Sequence, residues 1–422
     1  MVGDVAPVKV FVTDGDNRAA LAVTRSLGRL GHEVIVGEKR TPALAQTSRY
    51  CRARVVYPDP IARPDAFVQW LTTTVRARGV DAVIPISDVT TLTITENRAA
   101  FDARCAIPFA SADIVARAAD KVDVLQTAAR LGVGVPRSVV VGDGRHVPET
   151  DFGYPVVVKP HRSRVKTAAG WTSTAVSYAI DPAALRRDLA ARPRHEFPVL
   201  LQERIIGPGF GVFACYQAGR AVALFSHRRL RERPPWGGVS VLSESVAMCP
   251  VARDQATRLL DELGWHGVAM VEFKRDARDG LPKLMEINGR FWGSLQLAID
   301  AGVDFPALLL RSACGDECEP QEPYRIGVRN RWLWGDVDSL LVTLFGGNGA
   351  PELEARPKWP ALRAFAKCWG TDLHYDNPKW GDAKPWLFES YEWFRRTAAD
   401  AGTTLGIIRT SSDRRRNGAA CA

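Results

Sequence analysis

Apolar and polar positions switch between two periods along this chain, and the switches lay out its first elements. Val8 to Thr13 is a short strand-like run, the apolar spacing turns helical after Asp14-Gly15-Asp16-Asn17 and continues to Leu30, Gly31 stops it, and Glu33 to Val36 returns to strand. Ala66 to Arg78 is amphipathic at helical spacing, and Ala82-Val83-Ile84-Pro85-Ile86 is a strand ending in Ser87-Asp88. Strand alternating with helix predicts a small parallel sheet over residues 1–106, with the loops after its strands facing a ligand. Asp14, Asn17, Ser87 and Asp88 stand in those loops as substrate-contact candidates, and turn or helix-capping roles suit the same residue types. TDGDNRAAL has one glycine where a pyrophosphate fingerprint has three, which argues against a redox dinucleotide domain.

Farther on, Ala119-Asp120-Lys121 opens a helix that runs to Arg130 and stops at the Gly- and Pro-rich turn before Pro136. Tyr154 to Pro160 reads as a buried strand carrying Lys159, a side chain costly to bury without an anion. Arg162 to Thr174 holds one glycine, Gly170, among three cations and several hydroxyls. Val199 to Gly207 is a strand leading into a turn, and Val212–Gln217 with Arg220–Ser226 forms a hairpin pattern around Ala218-Gly219. His227 to Arg233 concentrates five ionisable cations before Pro234-Pro235-Trp236-Gly237-Gly238. Arg228, Arg229 and Arg231 are candidates for an anion site there, with Gly238 allowing close backbone approach.

The stretch from Gly267 to Leu297 concentrates the chemistry. Two alternating runs, Val268–Lys274 and Leu284–Phe291, flank Arg278-Asp279-Gly280, a hairpin signal. A turn centred near Asp279 sets Glu272 opposite Glu286. Alternation then puts Glu286, Asn288 and Arg290 on one face, and Met285, Ile287 and Phe291 on the other with Val271 and Phe273. Two carboxylates and an amide oxygen suit a hard cation, Mg²⁺ first and Mn²⁺ as an alternative, while Arg290 can neutralise a phosphoryl group in transfer. A solvated polar face on an ordinary hairpin fits the same pattern.

Glu272 on one strand, then Glu286-Ile287-Asn288-Gly289-Arg290 on the next, resembles the metal-binding signature of ATP-grasp enzymes. Lys121, Lys159, Glu203, Glu272, Glu286, Asn288 and Arg290 follow in order and extend the resemblance over roughly residues 8 to 315. It implies an α/β (α+β) chain: an N-terminal Rossmann-like pre-ATP-grasp domain over 1–106, then an ATP-grasp domain over 107–320. The latter divides into a nucleotide subdomain at about 107–205 and a metal and acceptor subdomain at about 206–320. The resemblance further implies that Lys121 and Lys159 contact ATP phosphates, that Gln202, Glu203, Arg204 and Ile205 form the adenine-reading hinge, and that Glu272, Glu286 and Asn288 hold the metal. The family's glycine-rich flap corresponds to the cation-rich Arg162–Thr174, and its ribose acid is replaced by Pro208-Gly209-Phe210-Gly211. The activity implied is an ATP-dependent carboxylate-amine ligase working through an acylphosphate, with Lys159 and Arg290 as catalytic cations.

Composition adds bounds. The chain of 422 residues is 46% hydrophobic and 24% charged, with a net charge of +9 and eight scattered cysteines. A soluble cytoplasmic protein of two or three domains with reduced thiols is expected, since no apolar run is membrane-spanning and MVGDVAPVKV lacks a signal peptide's regions. Seven of twelve tryptophans lie beyond residue 320. Residues 321–408 therefore read as a mainly helical extension packed by aromatics, with helical patterns at 336–344, 360–369 and 388–399, and 409–422 as a disordered polar tail. Small-molecule carboxylate and amine partners are expected and nucleic acid is not; the resemblance leaves a homodimer open. Two other readings stay open: a non-catalytic ATP sensor on the same fold, and a basic RNA- or membrane-binding protein.

Overall fold

The computed structural model describes residues 7–144, 148–235, 237–321, 323–345, 357–367 and 372–398. Trp236, Trp369 and the expected tail 409–422 lie outside the described residues. The N-terminal sheet is parallel throughout, in the order Cys51–Val56, Glu33–Glu38, Lys9–Val12, Ala82–Ile84. Its first helix, Arg18–Arg29, begins where the Asn17 side chain accepts from the Ala19 N–H. The helix at Pro64–Arg78 ends on Gly79, whose φ of +58° is the left-handed conformation that glycine adopts freely. The parallel sheet expected from the alternating periods is present.

Helices Ala112–Ala119 and Lys121–Arg130 lead into a four-stranded antiparallel sheet ordered Ser138–Val141, Val199–Glu203, Val156–Pro160, Ser177–Ala179. Val156, Val158, Val199 and Leu201 bury one face of it with Leu185 and Leu189 of helix Pro182–Ala191. The expected flap is a small hairpin, Arg164–Thr167 paired with Gly170–Ser173.

The larger sheet has seven strands: Pro282–Asn288, Gly267–Arg275, Gly209–Gln217, Arg220–Arg233, Val239–Ser245, Arg329–Arg331 and Leu373–Tyr375. Along Gly267–Arg275, Ala269, Val271 and Phe273 pack with Leu259 and Leu260 of helix Pro250–Glu262. Val268 and Met270 join the core that runs on into the N-terminal domain. Both faces of this strand are therefore core over most of its length, and Glu272 takes only the end of one.

Glu272 pairs with Glu286, as the turn position predicts. The register then shifts, so that Phe273 pairs with Leu284. Met285 is the extra residue of this bulge and is half-buried, while Leu284 and Ile287 point into the core. Strict alternation misplaces Met285 for that reason. The basic run is also more ordered than its composition suggests, being the end of the 14-residue strand Arg220–Arg233.

The described residues beyond 320 are mainly helical, with helices Leu333–Phe345, Lys358–Ala366 and 384–398. This segment also supplies the last two strands of the large sheet, which pair in parallel. Aromatics pack it: Trp334 and Trp393 stack with centroids 4.4 Å apart, and the Trp332, Trp334 and Trp393 N–H groups donate to Glu389, Ser390 and Asp338. Trp359 and Trp380 are exposed. The segment clamps the N-terminal domain through Arg25, which is 1% exposed. Its guanidinium donates to the Asp382 carboxylate at 2.7 Å and to the carbonyls of Asp376, Asn377 and Asp382. That cover explains why helix Arg18–Arg29 is buried from Ala19 to Leu27 instead of showing one wet face. Among the described residues no helix is long and apolar enough to cross a membrane, and the six described cysteines are free.

Candidate active site

Two lysines from different elements converge on Glu286. Lys121 is the first residue of its helix, where Asp120 caps the N–H groups of Val122 and Asp123. Its own N–H donates to the His161 carbonyl at 2.7 Å. The ammonium donates to Ser163 Oγ at 2.9 Å and lies 3.5 Å from Glu286 Oε2. Lys159 lies on the central part of the antiparallel sheet, opposite Leu200. Burial pushes its ammonium down to about 8, against the pull of Glu286 and with the push of Lys121. Among the described residues no hydrogen bond or ion pair holds it. Burial alone would push Glu286 up, but Lys121 and Lys159 outweigh it and hold the carboxylate below its ordinary range.

Glu272 lies across the strand pair, with Arg229 Nη2 at 2.5 Å from its Oε2. Burial first, then repulsion from Glu286, pushes Glu272 up, and Arg229 opposes both. Asn288 Nδ2 donates to Glu286 at 3.2 Å, and Asn288 Oδ1 accepts from Arg290 at 3.1 Å. Arg290 grips Asp88 of the N-terminal domain with two bonds, at 2.8 and 3.2 Å. Two opposed carboxylates and an amide oxygen, with neither sulfur nor imidazole, fit a hard divalent cation such as Mg²⁺. Among the described residues no three His, Cys, Asp or Glu side chains gather as a metal set, so the candidate donors are these two acids and the amide.

Residues of the expected hinge form a seam between the two sheets. Glu203 accepts from the Arg137 N–H at 3.0 Å and from its Nε at 3.2 Å, and from Arg278 of the hairpin loop at 3.0 Å. Burial opposes its charge, but Arg278 and Arg137 hold the carboxylate below its usual range. Gln202 donates to Ser138 Oγ at 3.0 Å, Arg204 is half-buried, and the carbonyl of buried Ile205 accepts from Lys274 at 3.3 Å.

Of the basic run, only Arg229 reaches the carboxylate pair. Arg228 is bound to Glu244, and Arg231 to Asp336, which also takes Arg331. Arg233 pairs with Asp338 at 2.8 Å. Gly238 packs its backbone on Arg233 and Pro234. His227, missed in the sequence, is 1% exposed and 2.7 Å from Ser294 Oγ. Burial holds its imidazole down to about 3, so it is neutral.

In the flap hairpin, Arg162 pairs with Asp120 and Lys166 with Glu96, both at 3.3 Å. The Trp171 backbone N–H donates to the Ile61 carbonyl of the N-terminal domain at 2.8 Å. Gly170, at φ +107°, lies so close to that carbonyl that a side chain would collide with it. The hairpin's single glycine thus serves docking.

Three cavities meet at Asp88 and Arg164. A tight one of about 30 Å³ contains Lys121, Ser163, Glu286 and Asn288. One of about 310 Å³ lies over the ends of the parallel strands at Asp14, Asp16 and Glu38. The largest, about 660 Å³, lies between Asn17, Arg290 and the helix 384–398. Of the loop candidates, Asp88 is in contact with Arg290. Asp14, at φ +56°, spends its carboxylate on Ser87 and Thr90, while Asn17 and Ser87 cap helices and also line the largest cavity. The wall formed by the C-terminal helix had no signal in the sequence beyond its own helical period.

Residues 195–334 match the family model described as ATP-grasp in the biosynthetic pathway with Ter operon. No curated protein matches the chain by sequence. Among solved structures, an L-amino acid ligase from Bacillus licheniformis is similar at TM-score 0.57 and 16% identity, over 73% of this chain and 74% of that one. The biotin carboxylase domain of 2-oxoglutarate carboxylase from Hydrogenobacter thermophilus is similar at TM-score 0.60 and 17% identity, over 76% and 73%. N5-carboxyaminoimidazole synthetase from Staphylococcus aureus is similar at TM-score 0.60 and 12% identity, over 81% and 86%. With the sheet architecture and the order of its elements, these likenesses show that the chain has an ATP-grasp fold.

Proposed function

We propose that this protein is an ATP-dependent carboxylate-amine ligase acting on small molecules in the cytoplasm. The observation that carries the reading is the convergence of Lys121, Glu286, Asn288 and Arg290 in one cavity, with Lys159 and Glu272 close behind Glu286. The names of the similar structures, an amino acid ligase among them, support the reaction class.

Lys121 and Lys159 supply positive charge for the β- and γ-phosphates, and among the described residues the Lys159 ammonium has no hydrogen bond or ion pair to give up. Glu272, Glu286 and Asn288 would hold Mg²⁺, which when bound neutralises phosphate oxygens. Arg290, fixed by Asp88 and Asn288, orients a substrate carboxylate where the tight cavity and the largest one adjoin. A carboxylate oxygen attacks the γ-phosphorus, the bond to the β–γ bridging oxygen breaks, and ADP leaves. The resulting acylphosphate is attacked by an amine. The C–N bond forms, the C–O bond to phosphate breaks, phosphate departs, and the nitrogen loses a proton to solvent. Charge neutralisation and positioning suffice for this chemistry, with no protein nucleophile.

The test is ADP release from Mg-ATP with pooled carboxylic acids crossed against pooled amines, run beside Glu286→Gln. Release that needs both pools and falls at least about a hundredfold in the folded variant is expected. Release unchanged in the variant refutes the site. Mg-ATP binding without ADP from any pool favours the sensor. The ion pairs that neutralise the basic run weigh against the RNA reading.

A further inference from the structure

The largest cavity gives an indication of what the substrate carries. Its apolar surface comes from Val239, Phe291, Trp332 and Phe388, and its rim is charged. Most of that charge is matched. Arg18 pairs with Asp376, Arg40 with Asp16 at 2.9 Å, Arg290 with Asp88 at 2.8 Å, and Arg395 with Glu392 at 2.8 Å. Glu389 accepts from Trp332 and Asn377.

Two arginines are left over. Arg164 lies on the flap hairpin; its guanidinium has no hydrogen bond or ion pair among the described residues and lines all three cavities. Arg396, exposed on the helix 384–398, has among the described residues a 3.4 Å bond from Nε to the Glu392 carbonyl and the attraction of the Glu392 carboxylate, which Arg395 and Arg40 already share, and it lines the largest cavity alone of the three. One unmatched guanidinium therefore stands at the junction where the phosphoryl group arrives, and a second, with only a share of Glu392, lies on a wall that the junction does not share. Two guanidinium groups facing one cavity repel each other unless anions lie between them, and their planar forks favour oxyanions.

We propose that the substrate held here carries a second oxyanion, carboxylate or phosphate, remote from the group that reacts at Arg290, and that Arg396 receives it. This deepens the ligase reading and rests on it for the identity of the reacting end. The C-terminal segment then acts as the specificity wall of the site as well as a clamp between domains. A volume of about 660 Å³ leaves room for a metabolite larger than a single short acid.

The test is calorimetric titration of the full chain, saturated with Mg-ADP, with three probes: glutarate, 3-phosphonopropionate and butyrate. At least one dianion should bind about tenfold more tightly than butyrate, and which one does separates carboxylate from phosphate. Arg396→Gln should remove that advantage, Arg396→Lys should keep most of it, and butyrate should respond to neither. Butyrate binding as tightly as both dianions, no binding of either dianion, or an advantage that survives Arg396→Gln overturns the proposal. ADP release is measured separately. Dianion binding that depends on Arg396, with no ADP from any pool, would refute the ligase reading while leaving the oxyanion site standing.

Discussion

Lys159→Met gives opposite signs in two assays. Methionine keeps the unbranched length and removes the charge. In the folded protein the ammonium is pushed from 10.5 to about 8, chiefly by burial. One pKa unit is about 1.4 kcal/mol, so keeping this lysine charged at pH 7 costs on the order of 3 kcal/mol. Partial exposure screens the charge, and about 1–2 kcal/mol is the working figure. The folded pKa lies below the unfolded one, so the cost is fully present below about 8 and fades as pH rises through 10.5, above which both states are neutral. Lys159→Met should therefore be more stable than the parent by about 1–2 kcal/mol at pH 7 in urea denaturation, with the advantage gone above about pH 10.5. The same variant should bind Mg-ATP about tenfold to a hundredfold more weakly by calorimetry, having lost a charge-assisted contact to phosphate. A variant less stable at pH 7, or one with unchanged nucleotide affinity, would refute the picture of a lysine held ready for an anion.

Other perturbations test the clamp and the flap. Arg25→Met breaks a buried ion pair and should cost about 3 kcal/mol, less than the full penalty because Asp382 keeps Ser48 and the Arg49 N–H. Limited proteolysis should then cut first within 372–398; cutting elsewhere at unchanged stability would count against the clamp. Gly170→Ala puts a side chain at φ +107° against the Ile61 carbonyl and should cost about 1–3 kcal/mol. Its signature is faster hydrogen exchange at the Trp171 amide, which bonds that carbonyl. Exchange as slow as in the parent would mean the hairpin docks by other contacts.

Local order was legible because it is written in short-range pattern. The Asp-Gly turn set Glu272 against Glu286, Asp120 and Asn17 announced helix starts, and alternating periods gave the parallel sheet. A resemblance resting on seven ordered residues then suggested the ATP-grasp fold, which the similar structures support. The Met285 bulge escaped because one inserted residue leaves the hydrophobic count of a strand unchanged while turning half of it over.

What the chain determines by itself is which residues share a face and which types can do chemistry. The partners were decided only in three dimensions. Arg290 meets Asp88 across 202 positions, and Arg25 meets Asp382 across 357. The run His227–Arg233 looks like a free basic patch until Glu244, Glu272, Asp336 and Asp338 arrive from other elements to neutralise it. Periodicity encodes the direction of a side chain relative to its own backbone. Charge pairing falls off within a few ångströms and depends on which backbones cross, so it is settled only when the sheets and the C-terminal clamp come together.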